Sequence, residues 1–246
     1  MEPFWSHMLP KPYFEKDGII LYHGDCREIL PELPPDSFDM VLTDPPYLVS
    51  YSGRWGSDWG VIEGDTDQCW VLPVYRELWR TLKPDALCAT FYGWPSADIF
   101  FGAWNLIGFR PVSVLVLIKG RWGLGYFTRA QHEQAYLLAK GRPQKPQAAI
   151  SDVLVWDDIS HQVHPNQKPL GAISRLISIY SAERTSILDP FCGSGTTLVA
   201  ARNLGRRAVG IELEERYCEV LARRLSQTVF HYREPIGPPE QLLLSL

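Results

Sequence analysis

The sequence predicts an α/β fold, a doubly wound and mostly parallel sheet with helices on both faces. Three observations predict it. Apolar runs of strand length alternate with segments of helical periodicity along most of the chain, as crossover helices between parallel strands require. Residues 185–213 read as one strand–helix–strand unit with a glycine turn at its first crossover. A second apolar strand is stopped by Asp44-Pro45-Pro46-Tyr47. Two prolines cannot continue a hydrogen-bonded ladder, so these residues stand at a strand end, the edge where open α/β sheets bind ligands.

Each element has its own reason. Residues 19–22 (Ile-Ile-Leu-Tyr) form a short apolar strand, Gly24-Asp25-Cys26 a turn, and 27–30 a short helix. Met40-Val41-Leu42 is the strand that leads into Asp44. Residues 48–67 are a long loop rich in Gly, Ser, Asp and aromatics, a length that usually means function or disorder. A helix over 73–82 carries Val74, Leu78 and Leu82 on one face. Residues 87–92 are a strand, 97–107 a helix and 112–118 a β-branched strand. Residues 134–139 read as a strand antiparallel to its neighbour. Residues 141–163, with Pro143 and Pro146, read as irregular. His164-Pro165-Asn166-Gln167-Lys168-Pro169 opens a helix with Leu170, Ile173, Leu176 and Ile177 on its buried face. After the 185–213 unit, Tyr217, Val220, Leu221 and Leu225 mark a last amphipathic helix, and 234–246 form a tail.

With 246 residues, 46% hydrophobic and 21% charged, the chain reads as one globular domain spanning 1–246. No apolar run reaches the roughly 18 residues of a spanning helix, so no membrane association is expected. Met1 to His7 show no basic region followed by an apolar one, so no secretory signal is visible. Five cysteines without a Cys-x-x-Cys pair fit a reducing cytoplasm and argue against disulfides or a zinc site. His23, His132, His161 and His164 have no metal-ligand spacing, so no metal is expected. The net charge is −4, yet residues 111–150 hold six cations against one acid, Glu133. A nucleic-acid binder that is not globally basic must concentrate its positive charge in this way. Trp55, Trp59, Trp70 and Trp122 lie in or beside apparent loops, where exposed aromatics can stack on bases, although most Trp are core residues.

The turn Asp189-Pro190-Phe191-Cys192-Gly193-Ser194-Gly195 runs into a helix that begins at Thr196 and Thr197. Glycine there permits positive φ and close approach to a ligand, and the free N–H groups of the helix start favour an anion. Glu212 ends the next strand, 19 positions after Gly193, where an acid can accept hydrogen bonds from ribose hydroxyls. This describes a nucleoside-type cofactor. Leu198 stands where a dinucleotide site carries its third glycine, and no Lys follows the glycines as a P-loop needs.

Phe191, Gly193 and Gly195 match the Phe-x-Gly-x-Gly cofactor turn of S-adenosylmethionine-dependent methyltransferases. Together with Asp44-Pro45-Pro46-Tyr47, the chain resembles the DNA amino-methyltransferases, which modify the exocyclic nitrogen of adenine or cytosine. The catalytic motif precedes the cofactor motif, which resembles the circularly permuted β group. Gly24-Asp25-Cys26 matches a turn that meets the cofactor adenine, and 164–169 looks like the family's His-Pro-Thr-Gln-Lys-Pro with Asn166 at the Thr position. The resemblance spans most of 19–226 and implies a Rossmann-like methyltransferase fold. It implies S-adenosylmethionine held by Asp25, Cys26, Lys168, Asp189, Phe191, Gly193, Ser194, Gly195, Thr196, Thr197 and Glu212, with Lys168 facing the methionine carboxylate. Catalysis would fall to Asp44, Pro45, Pro46 and Tyr47. Members often dimerise, so a homodimer is implied by resemblance alone.

The residue types suit the reaction. An exocyclic amine conjugated to a base is a poor nucleophile. The Asp44 carboxylate and the Pro45 carbonyl can accept its two hydrogens and turn its lone pair toward the methyl group. Tyr47 offers a face on which the base stacks. The base must leave the duplex, at a cost of a few kcal/mol. In the β group the recognition region lies between the two halves, here about 120–164. Arg121, Trp122, Tyr126, Phe127 and Arg129 form a basic-aromatic loop suited to double-stranded DNA, and the shortness of the irregular part, about 141–163, predicts a short target site, loose specificity or help from a second subunit. Asp at the first motif position resembles the adenine-N6 enzymes. Cytosine-N4 methylation, an RNA substrate, a non-catalytic subunit of the same fold and an oxidoreductase are the competing readings.

Overall fold

Among the described residues, nine strands form one sheet in the order β1-β2-β9-β8-β3-β4-β6-β5-β7. They are β1 (Phe14–Lys16), β2 (Ile19–His23), β3 (Phe38–Thr43), β4 (Leu82–Phe91), β5 (Arg110–Lys119), β6 (His132–Lys140), β7 (Val153–Trp156), β8 (Ser186–Asp189) and β9 (Arg207–Glu212). The helices are α1 (Cys26–Ile29), α2 (Val71–Thr81), α3 (Ala97–Ile107), α4 (Leu170–Tyr180), α5 (Thr196–Asn203) and α6 (Glu215–Ser226). This is a computed structural model, and it describes residues 9–48, 67–120, 122–123, 126–146, 150–156 and 167–226.

The sheet is parallel except at two places. β1 pairs antiparallel with β2, and β6 runs antiparallel between β4 and β5. Strand alternation divides the core in two. Met40 and Leu42 face α4, α5 and α6 together with Ile173, Leu198 and Leu221. Val41 faces the other way, onto Tyr75, Leu78, Phe100 and Trp104 of α2 and α3. Trp104 and Tyr75 are fully buried, with rings 5.7 Å apart and edge to face. Gly108 takes φ 108° and ends α3 in the left-handed conformation that residues with a Cβ resist.

Three sequence expectations change. The stretch read as irregular contains β7, which pairs in parallel with β5 through Val116↔Val153 to Lys119↔Trp156. β1, three residues long, has no strand signal in the sequence and takes its geometry from pairing with β2. The 167–169 motif residues lie outside α4, which starts only at Leu170, because a residue before proline is disfavoured in helical geometry. The loop expected over 48–67 and the tail over 234–246 fall outside the described residues, apart from Leu48 and Asp67. No helix among the described residues is long and apolar enough to cross a membrane.

Candidate active site

β3 and β8 lie side by side, with Met40 opposite Ile187 and Val41 opposite Leu188. From β8 the chain returns through α5 to β9 on one side, and from β3 it returns through α2 to β4 on the other. Their shared C-terminal edge is therefore a topological switch point, the crevice where such sheets bind ligands. Asp44 follows β3 there, and Asp189 ends β8.

On the β8 side, Asp189 is buried, and its carboxylate accepts the Phe191 N–H at 3.2 Å. Burial pushes its pKa up to about 7, against the hydrogen bond from the Phe191 backbone, which acts in the opposite direction. Gly193 and Gly195 take φ 51° and 83°. A Cβ on Gly195 would lie 1.9 Å from a methyl carbon of Leu221, so packing requires glycine there. A Cβ on Gly193 would meet nothing within 4 Å, so the turn stays open on that side. Ser194 accepts from Arg224 at its carbonyl, while Thr196 and Thr197 are buried at the start of α5. Phe191 lies edge-on to Trp70 with ring centres 5.2 Å apart. Trp70 itself is 7% exposed, which removes it from the base-stacking candidates. Cys192 is buried and its thiol pKa is driven up by burial, the environment of an inert turn residue.

Glu212 ties three pieces together. Its Oε2 accepts the Gly193 N–H at 2.8 Å and its Oε1 the Glu214 N–H at 2.9 Å. Its backbone carbonyl accepts the Gly24 N–H at 2.9 Å. That last bond, with His23 paired to Glu212 in the sheet, sets Asp25 and Cys26 beside the glycine turn. Burial raises the Glu212 pKa, against the two backbone donors. Asp25 caps α1 by accepting the Arg27 N–H at 2.8 Å, and the Arg27 guanidinium beside it lowers its pKa. Cys26 is buried, with its thiol pushed up to about 12.

On the β3 side, Asp44 Oδ1 accepts the Tyr47 hydroxyl at 2.7 Å, and Oδ2 accepts the Lys168 ammonium. Lys168 also donates to the Tyr47 oxygen at 3.1 Å. Asp44 lies deep among protein atoms yet keeps 27% of its side-chain surface, so one flank stays open to a ligand. Burial raises its pKa, with Lys168 pulling it back. Behind Tyr47 stands Gly93, where a Cβ would come within 2.7 Å of the Tyr47 Cβ. That requirement was missed in the sequence, although a glycine just past a strand end is its signal.

Lys168, which the resemblance turns toward the cofactor carboxylate, is buried against Asp44, Tyr47 and Glu133, with its ammonium 4.7 Å from the centre of the Phe91 ring. Burial would lower its pKa, and the two carboxylates outweigh burial and raise it. Glu133, the one acid of the basic segment, was not anticipated as part of the site. It reaches this edge because β6 is antiparallel, so its first residues lie beside the ends of β4 and β5.

The β5–β6 hairpin projects from the same edge. Trp122, Tyr126 and Phe127 are 66%, 95% and 94% exposed, and the Arg129 guanidinium lies 5.9 Å from the Trp122 ring. Arg121 and residues 164–166 lie outside the described residues. Among the described residues no three His, Cys, Asp or Glu side chains group as a metal site.

The residues at the β8–β9 edge fit an S-adenosyl nucleoside. The open face of Gly193, the N-terminus of α5 and the Glu212 carboxylate offer, in sequence, close approach, an anion-favouring helix end and a hydroxyl acceptor.

Comparison with known proteins agrees with this geometry. A family model for DNA methylases matches residues 38–223. The Escherichia coli (strain K12) protein named "Putative methylase YubD" is 42% identical over 203 residues, covering 82% of this chain and 88% of that one. The type II methyltransferase M2.DpnII of Streptococcus pneumoniae is 30% identical over 254 residues, covering 89% and 93%. Among solved structures, the Thermus thermophilus protein TTHA0409 complexed with S-adenosyl-L-methionine is 27% identical, with a TM-score of 0.65 over 85% of this chain and 95% of that one. With Asp44 and the glycine turn meeting at one switch point, and the family match running from β3 into α6, the chain belongs to the DNA methylase family of N6/N4 amino-methyltransferases.

Proposed function

We propose that the chain methylates the exocyclic N6 of an adenine flipped out of double-stranded DNA. The observation that supports it best is the Asp44 carboxylate, held by Tyr47 and Lys168 with one flank open, on the same sheet edge as the glycine turn. The family's cofactor, S-adenosylmethionine, supplies a methyl group on a positively charged sulfur that is ready to leave. The remaining work belongs to the protein's own groups.

Each carboxylate oxygen of Asp44 has a second lone pair beyond those used by Tyr47 and Lys168, so it can still accept an amine hydrogen. The Pro45 carbonyl accepts the other, and Pro45 and Pro46 restrict the backbone that carries it. Tyr47 is fixed at its hydroxyl by Asp44 and Lys168 and backed by Gly93, which leaves its ring as a firm stacking surface. Orientation of this kind supplies on the order of 7–11 kcal/mol at most. After transfer the nitrogen carries an extra proton, and Asp44 is placed to take it. The residues of 120–164, within a single domain spanning 1–246, serve as the target-recognition segment. Trp122, Tyr126, Phe127 and Arg129 contact the DNA around the extruded base.

The test is to incubate the protein with S-adenosylmethionine and unmethylated duplex DNA, digest to nucleosides and identify them by mass. N6-methyladenine that disappears in Asp44→Ala is the expected result. N4-methylcytosine would overturn the choice of base. No methylated nucleoside, despite tight cofactor binding, would overturn DNA methylation and point to RNA or a non-catalytic role.

A further inference from the structure

Lys168 is shared between two carboxylates that come from β3 and β6, two strands separated in the sheet by β4 alone. Asp44 Oδ2 follows β3, and Glu133 Oε2, on β6, sits 3.0 Å from the same ammonium. Glu133 is held in turn by Lys119 of β5, whose Nζ lies 2.6 Å from Oε1 and 4.7 Å from the Trp156 ring centre. The four charges form one line, Asp44, Lys168, Glu133, Lys119, that runs from the open flank of the site to β7. A structural ion pair needs only one partner per charge. A second acid on a lysine already paired with the reactive aspartate divides that cation's field between them.

We propose that Glu133 is a positioning residue for methyl transfer, holding Lys168 partly away from Asp44 so that Asp44 stays a strong hydrogen-bond acceptor for the target amine. The inference rests on Asp44 meeting that amine. Lys168 donates to Asp44 and Tyr47, while Glu133 Oε2, 3.0 Å away, attracts the same ammonium as an ion pair and so opposes its closer approach to Asp44. Without Glu133 the ammonium settles wholly on Asp44 and weakens it as an acceptor. The charges around Asp44 agree in direction. Lys168 lowers its pKa and Glu133 raises it, Tyr47 donates to it, and Asp189 and Tyr75 are the further titratable groups that sense it from β8 and α2. Glu133 itself faces Lys168, Lys119, Asp44 and Tyr47.

The test compares wild type, Glu133→Gln, Glu133→Asp and Asp44→Ala. In Glu133→Gln, kcat is expected to fall about tenfold, and its acidic limb to move down by about one pH unit as Asp44 becomes easier to ionise. KM for S-adenosylmethionine should not change. In cofactor-free protein, the ¹⁵N resonance of the Lys168 ammonium should titrate at lower pH than in wild type. Glu133→Asp should recover part of both effects. An unmoved acidic limb and an unmoved Lys168 titration would overturn the proposal, as would loss of folding in both Glu133 variants, which would make the cluster a scaffold alone. Activity retained in Asp44→Ala would instead remove the reading beneath it, so the two failures are distinguishable.

Discussion

Gly193 donates its backbone N–H to Oε2 of Glu212 across 2.8 Å, so the acid expected to meet the ribose also fixes the glycine turn. Hydrogen bonds to a charged group contribute about 1.5–3 kcal/mol each. Glu212→Ala removes the turn's anchor and the hydroxyl acceptor together. Its dissociation constant for S-adenosylmethionine should rise about 10- to 100-fold by calorimetry. Glu212→Gln keeps an acceptor oxygen and should lose less. Equal affinity in wild type and Glu212→Ala would show that the cofactor does not use this strand end.

Lys168 pairs with Asp44 rather than with the glycine turn, which makes a separate prediction. Lys168→Met should lower kcat about a hundredfold, because Asp44 and Tyr47 lose the ammonium that holds both in place, and a misplacement of about 1 Å costs that much. The affinity for S-adenosylmethionine should change by less than about threefold, because the ammonium's partners are Asp44, Tyr47 and Glu133 and not the glycine turn. A collapse of cofactor affinity with kcat preserved would restore the lysine to the methionine carboxylate. Breaking a buried pair also costs stability, so a melting curve belongs beside the kinetics.

What the sequence discloses here depends on range. Asp44 to Tyr47 and Asp189 to Gly195 are each short turns after a strand, and their backbone needs are written in adjacent Pro and Gly residues. The strand–helix–strand unit around α5 was legible for the same reason. β7 was not, because four residues flanked by irregular chain acquire strand geometry only by pairing with β5. Glu133 was hidden more deeply. Standing as the one acid among six cations, it carries no local sign of a buried partner, and only the antiparallel placement of β6 brings it to Lys168. Trp70 stands between two readings, base-stacking and core, and its packing against Phe100 and Phe191 decides for the core.

Asp189 makes stability depend on pH. Its folded pKa of about 7 lies above the unfolded value of 3.8. The native state therefore holds its proton more tightly than the unfolded chain. The resulting stabilisation is complete below about pH 4 and is lost as pH rises through about 7. The loss is on the order of a few kcal/mol. Asp189→Asn carries no titrating proton. Urea unfolding of both proteins from about pH 4 to about pH 8 should show wild type losing stability relative to Asp189→Asn up to about pH 7, with a constant difference above. A difference that is constant over the whole range would mean that Asp189 titrates as an ordinary carboxylate.

Tyr126 and Phe127 are almost wholly exposed, with ring centres 5.0 Å apart, at the tip of the hairpin beside the site. Two neighbouring aromatics in water contribute little to the fold, so replacing both by alanine should change stability by no more than about 0.5 kcal/mol. Aromatic stacking on a base contributes about 1–3 kcal/mol. The double variant should therefore raise KM for duplex DNA roughly tenfold or more while cofactor affinity holds. The same variant should lose less on DNA carrying a mismatch at the target base, because an unpaired base costs less to extrude. An equal loss on matched and mismatched DNA would assign the two rings to general DNA contact, with no part in opening the duplex.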